Sequence, residues 1–211
     1  GLIGYTNAGK STIMNALTNK NQYEADELFA TLDATTKGAN LTGRLNVTLT
    51  DTVGFIQDLP TELISSFKST LEESKNVDLL VHVIDASDPN HEEHEKTVLA
   101  IMKDLDMLDI PRLTLYNKAD KAGNFLPTLT PYVLISAKME NSRAVLQEAL
   151  LDKMRELFVP FCIKVGSGKA YKLYELESLA IIDKREYVEE SEMISGYIAE
   201  KNKWRLEEFY D

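Results

Sequence analysis

Residues 4–11 read Gly-Tyr-Thr-Asn-Ala-Gly-Lys-Ser, which fits the pattern G-x-x-x-x-G-K-[ST]. That spacing suits a phosphate chain. Gly4 and Gly9 let the backbone turn tightly, so that successive N–H groups, those of Tyr5, Thr6, Asn7 and Ala8 among them, can point at one anion. Lys10 brings a positive charge to the β and γ phosphates. Ser11 offers a hydroxyl to Mg²⁺, and a helix starting here aims its N-terminal dipole at the anion. A second pattern, Asp51-Thr52-Val53-Gly54, closes an alternating apolar run. A carboxylate at Asp51 can hold Mg²⁺ through water, and Gly54 lets its N–H approach a γ phosphate. A third, Asn117-Lys118-Ala119-Asp120, follows the run RLTLY. Asp120 can accept hydrogen bonds from the ring N1–H and the 2-amino group of guanine. Adenine has neither donor there, and an unpaired buried carboxylate is costly enough to discriminate strongly. A fourth, Ser136-Ala137-Lys138, places the Ala137 N–H where guanine O6 can meet it. Each short pattern alone is equally a turn. All four in order, each at the end of a strand-like run, predict a guanine-nucleotide site at the carboxyl ends of parallel strands.

The intervening residues read as the elements such a site needs. Ser11–Thr18 is patterned as a helix. Leu45, Val47 and Leu49 alternate with polar residues toward Asp51, as a half-buried strand does. Glu62–Ser74 is helical in pattern. Residues 78–85, DLLVHVID, are nearly continuous in apolar character, the mark of a strand buried on both faces of a parallel sheet. A helix is expected over Glu92–Leu108, strands over Arg112–Tyr116 and Tyr132–Ile135, and a helix over Ala144–Phe158 that turns Val145, Leu146, Ala149, Leu150 and Met154 inward. Strands alternating with helices predict a doubly wound, mostly parallel α/β sheet. The rhythm breaks near Pro160. A strand (Phe161–Val165), a turn at Gly166–Gly168, a helix (Ala170–Ile181) and two strand-like runs then predict a small α+β domain. The expected division is residues 1–158 and 159–211. Gly1–Ile3 is short for the strand that normally precedes a phosphate loop, so the first strand is expected to start upstream.

Composition narrows the function classes. The 211 residues are 44% hydrophobic and 27% charged, enough for a packed core and an ordinary surface. A formal net charge of −11 argues against a dedicated nucleic-acid binder. No apolar stretch approaches membrane-spanning length, which leads us to expect a cytoplasmic protein. The one cysteine, Cys162, sits in the apolar run VPFCIKV and is expected to be buried. His82 falls in a buried strand run and is expected in the core. His91 and His94 are read as a solvated helix start rather than a metal site.

Three stretches resemble the HflX family of ribosome-associated GTPases, within the translation-factor-like class of P-loop GTPases. They are GYTNAGKST at 4–12, LFATLDATT at 28–36 and DTVGFIQDLPTELISSFKSTLEE at 51–73. The resemblance implies GTP hydrolysis with Mg²⁺, association of a monomer with the large ribosomal subunit, and a role in splitting or rescuing ribosomes under stress. It extends the phosphate-loop contacts to Thr12. It places a first switch at Phe29, Ala30, Thr31, Leu32 and Asp33, with Thr31 meeting Mg²⁺ and the γ phosphate, whereas position alone leaves Thr35 and Thr36 as rivals. Lys10, Thr31 and Gly54 are then the catalytic set, and Ser11, Thr31 and Asp51 the metal set. In several related GTPases an asparagine placed like Asn7 helps to bind K⁺, while the simpler reading is that Asn7 tolerates a turn. Many relatives carry a water-orienting glutamine where this chain has Phe55, so slow turnover is expected. The family's N-terminal domain and helical linker are expected upstream of Gly1. Two other classes stay open: a GTP-gated module of a membrane transporter or another membrane-associated GTPase, and a GTP sensor with little hydrolysis.

Overall fold

The computed structural model describes residues 1–18, 35–41, 44–51 and 76–209. They fall into two compact units, Gly1–Gly38 with Thr48–Leu146, and Ala39–Val47 with Gln147–Asp211. The first is organised by a six-stranded sheet. The elements in chain order are β1 (Leu2–Gly4), α1 (Lys10–Thr18), β2 (Thr35–Leu41), β3 (Leu45–Asp51), β4 (Leu80–Asp85), α2 (His91–Asp104), β5 (Arg112–Asn117), β6 (Tyr132–Leu134) and α3 (Ser142–Leu157), of which Ala39–Leu41 of β2, Leu45–Val47 of β3 and Gln147–Leu157 of α3 fall in the second unit. The strand order is β2-β3-β1-β4-β5-β6. β1 runs parallel to both β3 and β4, and β5 runs parallel to β4 and β6. Only three residues join β2 to β3, a connection that antiparallel neighbours alone can make. The sheet is therefore mostly parallel and doubly wound, as the alternation of patterns predicts. The order reverses at β1, and the carboxyl end of β1 is where the phosphate loop begins.

The parallel strands are buried because helices cover them. Leu80, Val81, His82, Val83 and Ile84 of β4 are all buried. On one side, Ile3 and Leu80 pack against Val98 and Met102 of α2, together with Leu105 and Met107. Each such side chain contributes roughly 1.5–3 kcal/mol by leaving water. Helix α2 carries Glu92 and Glu93 in its first turn and Lys103 in its last, a distribution that suits the helix dipole. It stops at Asp104, four residues short of the expected Leu108. Asp106 adopts a left-handed φ of 55°, a conformation that ends helices and that Asp tolerates.

Helix α3 turns Leu146 and Leu150 inward as expected and leaves Ala149 and Met154 half-buried, but not Val145. Leu146, Leu150 and Leu151 are the buried apolar positions, whereas Val145 is 37% exposed. The inward stripe therefore runs Ser142–Leu146–Leu150 at four-residue steps, with Leu151 beside it.

The second unit holds an antiparallel sheet of order β7-β9-β8: β7 (Val159–Gly166), β8 (Ala180–Val188) and β9 (Ser191–Ile198). Between β7 and β8 lie a 3₁₀ segment (Ser167–Lys172) and α4 (Leu173–Leu179). The turn expected at Gly166–Gly168 is present, but the helix ends at Leu179. Ala180 and Ile181 already pair with Ile198 and Tyr197 in the sheet, where β-branched Ile181 and Ile182 are well placed. Phe161, Ile163 and Val165 face inward with Leu173, Leu176, Ile194 and Ile198. Cys162 lies on the other face and is exposed, contrary to the expectation of a buried thiol. The two-residue period of a strand puts it with Lys164 rather than with its apolar neighbours. A 3₁₀ segment (Glu200–Phe209), with no counterpart in the sequence reading, closes the unit. Its Leu206 and Phe209, three apart, share the eclipsed face and complete the core.

Candidate functional site

The phosphate loop is shaped by two close approaches. A Cβ on Gly4 would lie 2.3 Å from the Val83 carbonyl oxygen, and one on Gly9 would lie 2.3 Å from Asn117 Nδ2. Asn7 (φ 60°) and Gly9 (φ 99°) take left-handed backbone, and the Ala8 N–H donates to Tyr5 O at 3.2 Å. Helix α1 then starts at Lys10. The Lys10 side chain is buried, with Nζ 3.4 Å from Gly4 O. Burial pulls its pKa down, and the Asp51 carboxylate opposes that shift. A buried ammonium with three donors and, among the described residues, one distant carbonyl as hydrogen-bond partner is suited to an anionic ligand.

Asp51 ends β3 directly beside β1, with Leu2 as its register partner. It is fully buried, and Ser11 Oγ donates to its Oδ2 at 2.7 Å. Two motifs far apart in the chain thus present a hydroxyl and a carboxylate together. Hard oxygens of this kind fit Mg²⁺, which would sit with Ser11 and Asp51 and neutralise phosphate charge.

The base-reading motifs are tied to the loop by one side chain. Asn117 is buried at the end of β5. Its Nδ2 donates to Ala8 O at 3.0 Å and its Oδ1 accepts from the Ala137 N–H at 2.9 Å. Asn117 therefore ties three of the four motifs together, and the Ser11–Asp51 bond joins the fourth to the loop. The Ala137 N–H, assigned to guanine O6 from sequence, is already given to Asn117. Lys118 takes a φ of 60° and donates from Nζ to Asn7 O at 2.8 Å and to Asp85 Oδ2 at 2.7 Å. Ala119 and Asp120 form a 3₁₀ turn, anchored by the Ala119 N–H to Ile135 O at 2.9 Å. Asp120 is exposed, and a hydrogen bond from the buried Ser136 hydroxyl holds its pKa below the usual carboxylate value. Its charged, acceptor-only form is the one that guanine donors require. Lys138 is exposed beside it. Thr12 lies in the first turn of α1.

Phe29, Ala30, Thr31, Leu32 and Asp33 lie outside the described residues, as do Thr52, Val53, Gly54, Phe55 and Gln57. Of the rivals to Thr31, Thr36 has its hydroxyl 3.0 Å from that of Thr50. Asp85 was missed from sequence. Its Oδ1 accepts from the Ser87 N–H at 2.9 Å and from Ser87 Oγ at 2.6 Å, which fixes the carboxylate to receive Lys118. The only sequence signal was a charged residue closing an otherwise apolar run.

All three histidines line a small cavity behind the loop. His82 is buried as expected, its Nδ1 has no hydrogen-bond partner among the described residues, and desolvation lowers its pKa to about 3. His91 and His94 are not simply solvated. His91 Nδ1 lies 3.0 Å from Asp88 O, and His94 stacks on Tyr5 with ring centroids 3.6 Å apart. His94 therefore backs the phosphate loop. No cluster of three or more His, Cys, Asp or Glu suited to a metal ion occurs among the described residues, and no helix among them is long and apolar enough to cross a membrane.

The chain is similar to known proteins along this same stretch. Residues 1–118 match the family model described as 50S ribosome-binding GTPase. A GTPase HflX of Alkalihalophilus pseudofirmus is 42% identical over 203 residues, covering 94% of this chain and 48% of that protein. GTPase HflX of Escherichia coli strain K12 is 44% identical over 128 residues, 61% of this chain and 30% of that protein. The chain thus spans less than half the length of these curated relatives. Among solved structures, a GTP-binding protein from Sulfolobus solfataricus in complex with GDP superposes with a TM-score of 0.59 at 26% identity, covering 74% of this chain and 52% of that one. Loop, carboxylate and base-reading turn converge on one end of a P-loop sheet, and the chain belongs to the 50S ribosome-binding GTPase family, with HflX GTPases among its relatives.

Proposed function

We propose that this chain binds GTP, hydrolyses it slowly, and uses its nucleotide state to control association with the large ribosomal subunit. The observation that carries the nucleotide part is the bridge made by Asn117 between the phosphate loop and the Ala137 turn. It sets the phosphate-binding and base-reading motifs in one frame, with the Asp120 carboxylate open to a ligand. In this reading Lys10 and the loop amides take the phosphates, with Tyr5, Thr6, Ala8 and Thr12 along the loop. Asn117, Lys118, Ala119 and Asp120 read the base, and Ser136, Ala137 and Lys138 close over it. The Ala137 N–H is shared between Asn117 and guanine O6. Thr31 and Gly54 grip the γ phosphate, and losing it on hydrolysis releases both switches. The switch segments would comprise Phe29–Asp33 and Asp51–Gly54, and Mg²⁺ would be held by Ser11 and Thr31 directly and by Asp51 through water.

Turnover is slow in this reading because the Phe55 ring offers no hydrogen bond to an attacking water. Backbone groups, K⁺ near Asn7 or the ribosome supply that function instead. The ribosomal partner is supported by the family description and by the HflX relatives. Residues 1–158 carry the nucleotide chemistry and 159–211 form an appended domain, in a cytoplasmic monomer that helps to split or rescue ribosomes under stress.

The test is GTP turnover by the chain alone, with purified large subunits, and with lipid vesicles, each in K⁺ and in Na⁺. Slow basal turnover stimulated by large subunits is expected. Absence of turnover in every condition makes the chain a sensor, and stimulation by vesicles points to a membrane-associated GTPase. Asp120→Asn should shift preference from guanosine to xanthosine nucleotides, read by competition binding. An unchanged preference overturns the base assignment.

A further inference from the structure

The second unit carries a row of exposed aromatic rings that the nucleotide chemistry does not use. Tyr171, Tyr174 and Tyr187 are 75%, 70% and 82% exposed. Their positions in the fold bring them to one side of the unit. Tyr171 and Tyr174 are three residues apart where the 3₁₀ segment passes into α4, so they occupy successive turns of one face. The Arg44 guanidinium stands 5.7 Å from the centroid of the Tyr174 ring. Arg44 and Arg185 both pair with the buried carboxylate of Glu177, three residues beyond Tyr174. Tyr187 follows Arg185 by two residues on β8. Their register partners Glu192 and Ile194 are both buried, which puts Arg185 and Tyr187 on the α4 side of the sheet. The result is one stripe: Tyr171, Tyr174, Arg44, Arg185, Tyr187.

Tyrosine and arginine are the residues that anchor protein interfaces, because they offer large contact area at low entropic cost. The charge around the stripe identifies the partner. The two guanidinium groups are neutralised from within, by Glu177 and, 3.6 Å from Arg185, by Glu192. Lys169 and Lys172 flank Tyr171, Lys172 being paired with Glu208 at 3.1 Å, whereas the rim beside Tyr187 is acidic. Glu189 and Glu190 are exposed and have no ion-pair partner among the described residues, and Lys184 is engaged by Glu186 at 2.6 Å. The chain as a whole carries −11. The Tyr187 end of the stripe, on a chain of this charge, repels phosphate backbones and attracts a cationic protein.

We infer that the Tyr171–Tyr174–Tyr187 stripe docks a lysine- and arginine-rich protein surface on the large ribosomal subunit. The inference rests on the large-subunit reading above. The experiment measures binding of the GTP-loaded full chain to purified large subunits, for wild type, for Tyr174→Ala with Tyr187→Ala, and for Glu189→Lys with Glu190→Lys. A photocrosslinking amino acid is placed at position 187 in parallel. Each double variant should bind roughly 30-fold more weakly, the range expected for interface anchors. Both should keep basal GTP turnover and thermal midpoint, because the altered side chains are exposed. The crosslink should go to a basic ribosomal protein. If wild type fails to bind large subunits, the large-subunit reading fails. If wild type binds and the variants bind equally well, the stripe is not the contact and this inference alone fails. A crosslink to ribosomal RNA also overturns it.

Discussion

The two units bury charge in opposite ways. At the end of the parallel sheet, Lys10 sits buried, its three N–H donors met among the described residues by one carbonyl at 3.4 Å, with the Asp51 charge acting on it. In the antiparallel unit, Glu177 is equally buried but is met by two guanidinium groups, Arg44 and Arg185. The first group has desolvation cost still to be offset by a ligand. The second is answered by its own unit. Burial alone does not mark a functional residue; the balance of donors and acceptors around it does.

The contrast can be broken most severely at Lys10. Lys10→Ala should weaken GTP binding by roughly 100-fold or more, since one partner of a buried charge-assisted contact is lost. Its thermal midpoint should barely move, because the charge is a burden without ligand. Calorimetric titration with near-wild-type affinity would reject the loop assignment. Asn117→Ala comes next. It leaves the Ala8 carbonyl and the Ala137 N–H without their partner, at about 1–3 kcal/mol each. Urea unfolding should show the loss, and nucleotide affinity should fall with it. A stability loss with affinity intact would make the bridge purely structural.

His82 tests a third case, a buried polar group with no ion pair among the described residues. Its folded pKa of about 3 lies below the unfolded 6.5. Above pH 6.5 both states are neutral there and stability is full. As pH falls from 6.5 toward 3, only the unfolded chain takes the proton, and stability drops by about 1.4 kcal/mol per pH unit. Comparing urea midpoints of wild type and His82→Leu between pH 7 and pH 5 should reveal that slope in wild type only. The smallest effect is expected at Glu177→Ala. Arg44 and Arg185 are partly exposed and can turn to water, so the cost should be about 1–2 kcal/mol. Nucleotide affinity should be unchanged. A large affinity loss would dissolve the distinction between the two units.

Much of the site was legible because its chemistry is local. The spacing of Gly4, Gly9, Lys10 and Ser11 encodes a turn and a helix start in eight residues, and the structure builds both. What joins the motifs was not legible. Asp85 meets Lys118 only because β4 and β5 are parallel neighbours in register. His94 reaches Tyr5 only because α2 covers β1 and β4. Cys162 was misread because local composition was weighed above the period of two, although Lys164 in the same run shows which face is wet. The end of α2 escaped because left-handed Asp106 has no local signature.

The Gly4–Ser11 loop and the Asn117 turn also set a rule for how this protein can vary. Any side chain at position 9 would displace the Asn117 amide, and with it the bonds to Ala8 and Ala137. Positions 9 and 117 are therefore one choice written in two places. A substitution at either alone removes the bridge, and only a paired library that shrinks residue 117 as residue 9 grows would explore alternatives. Such pairs would carry the loop without its brace, which separates what glycine contributes to folding from what it contributes to holding phosphate.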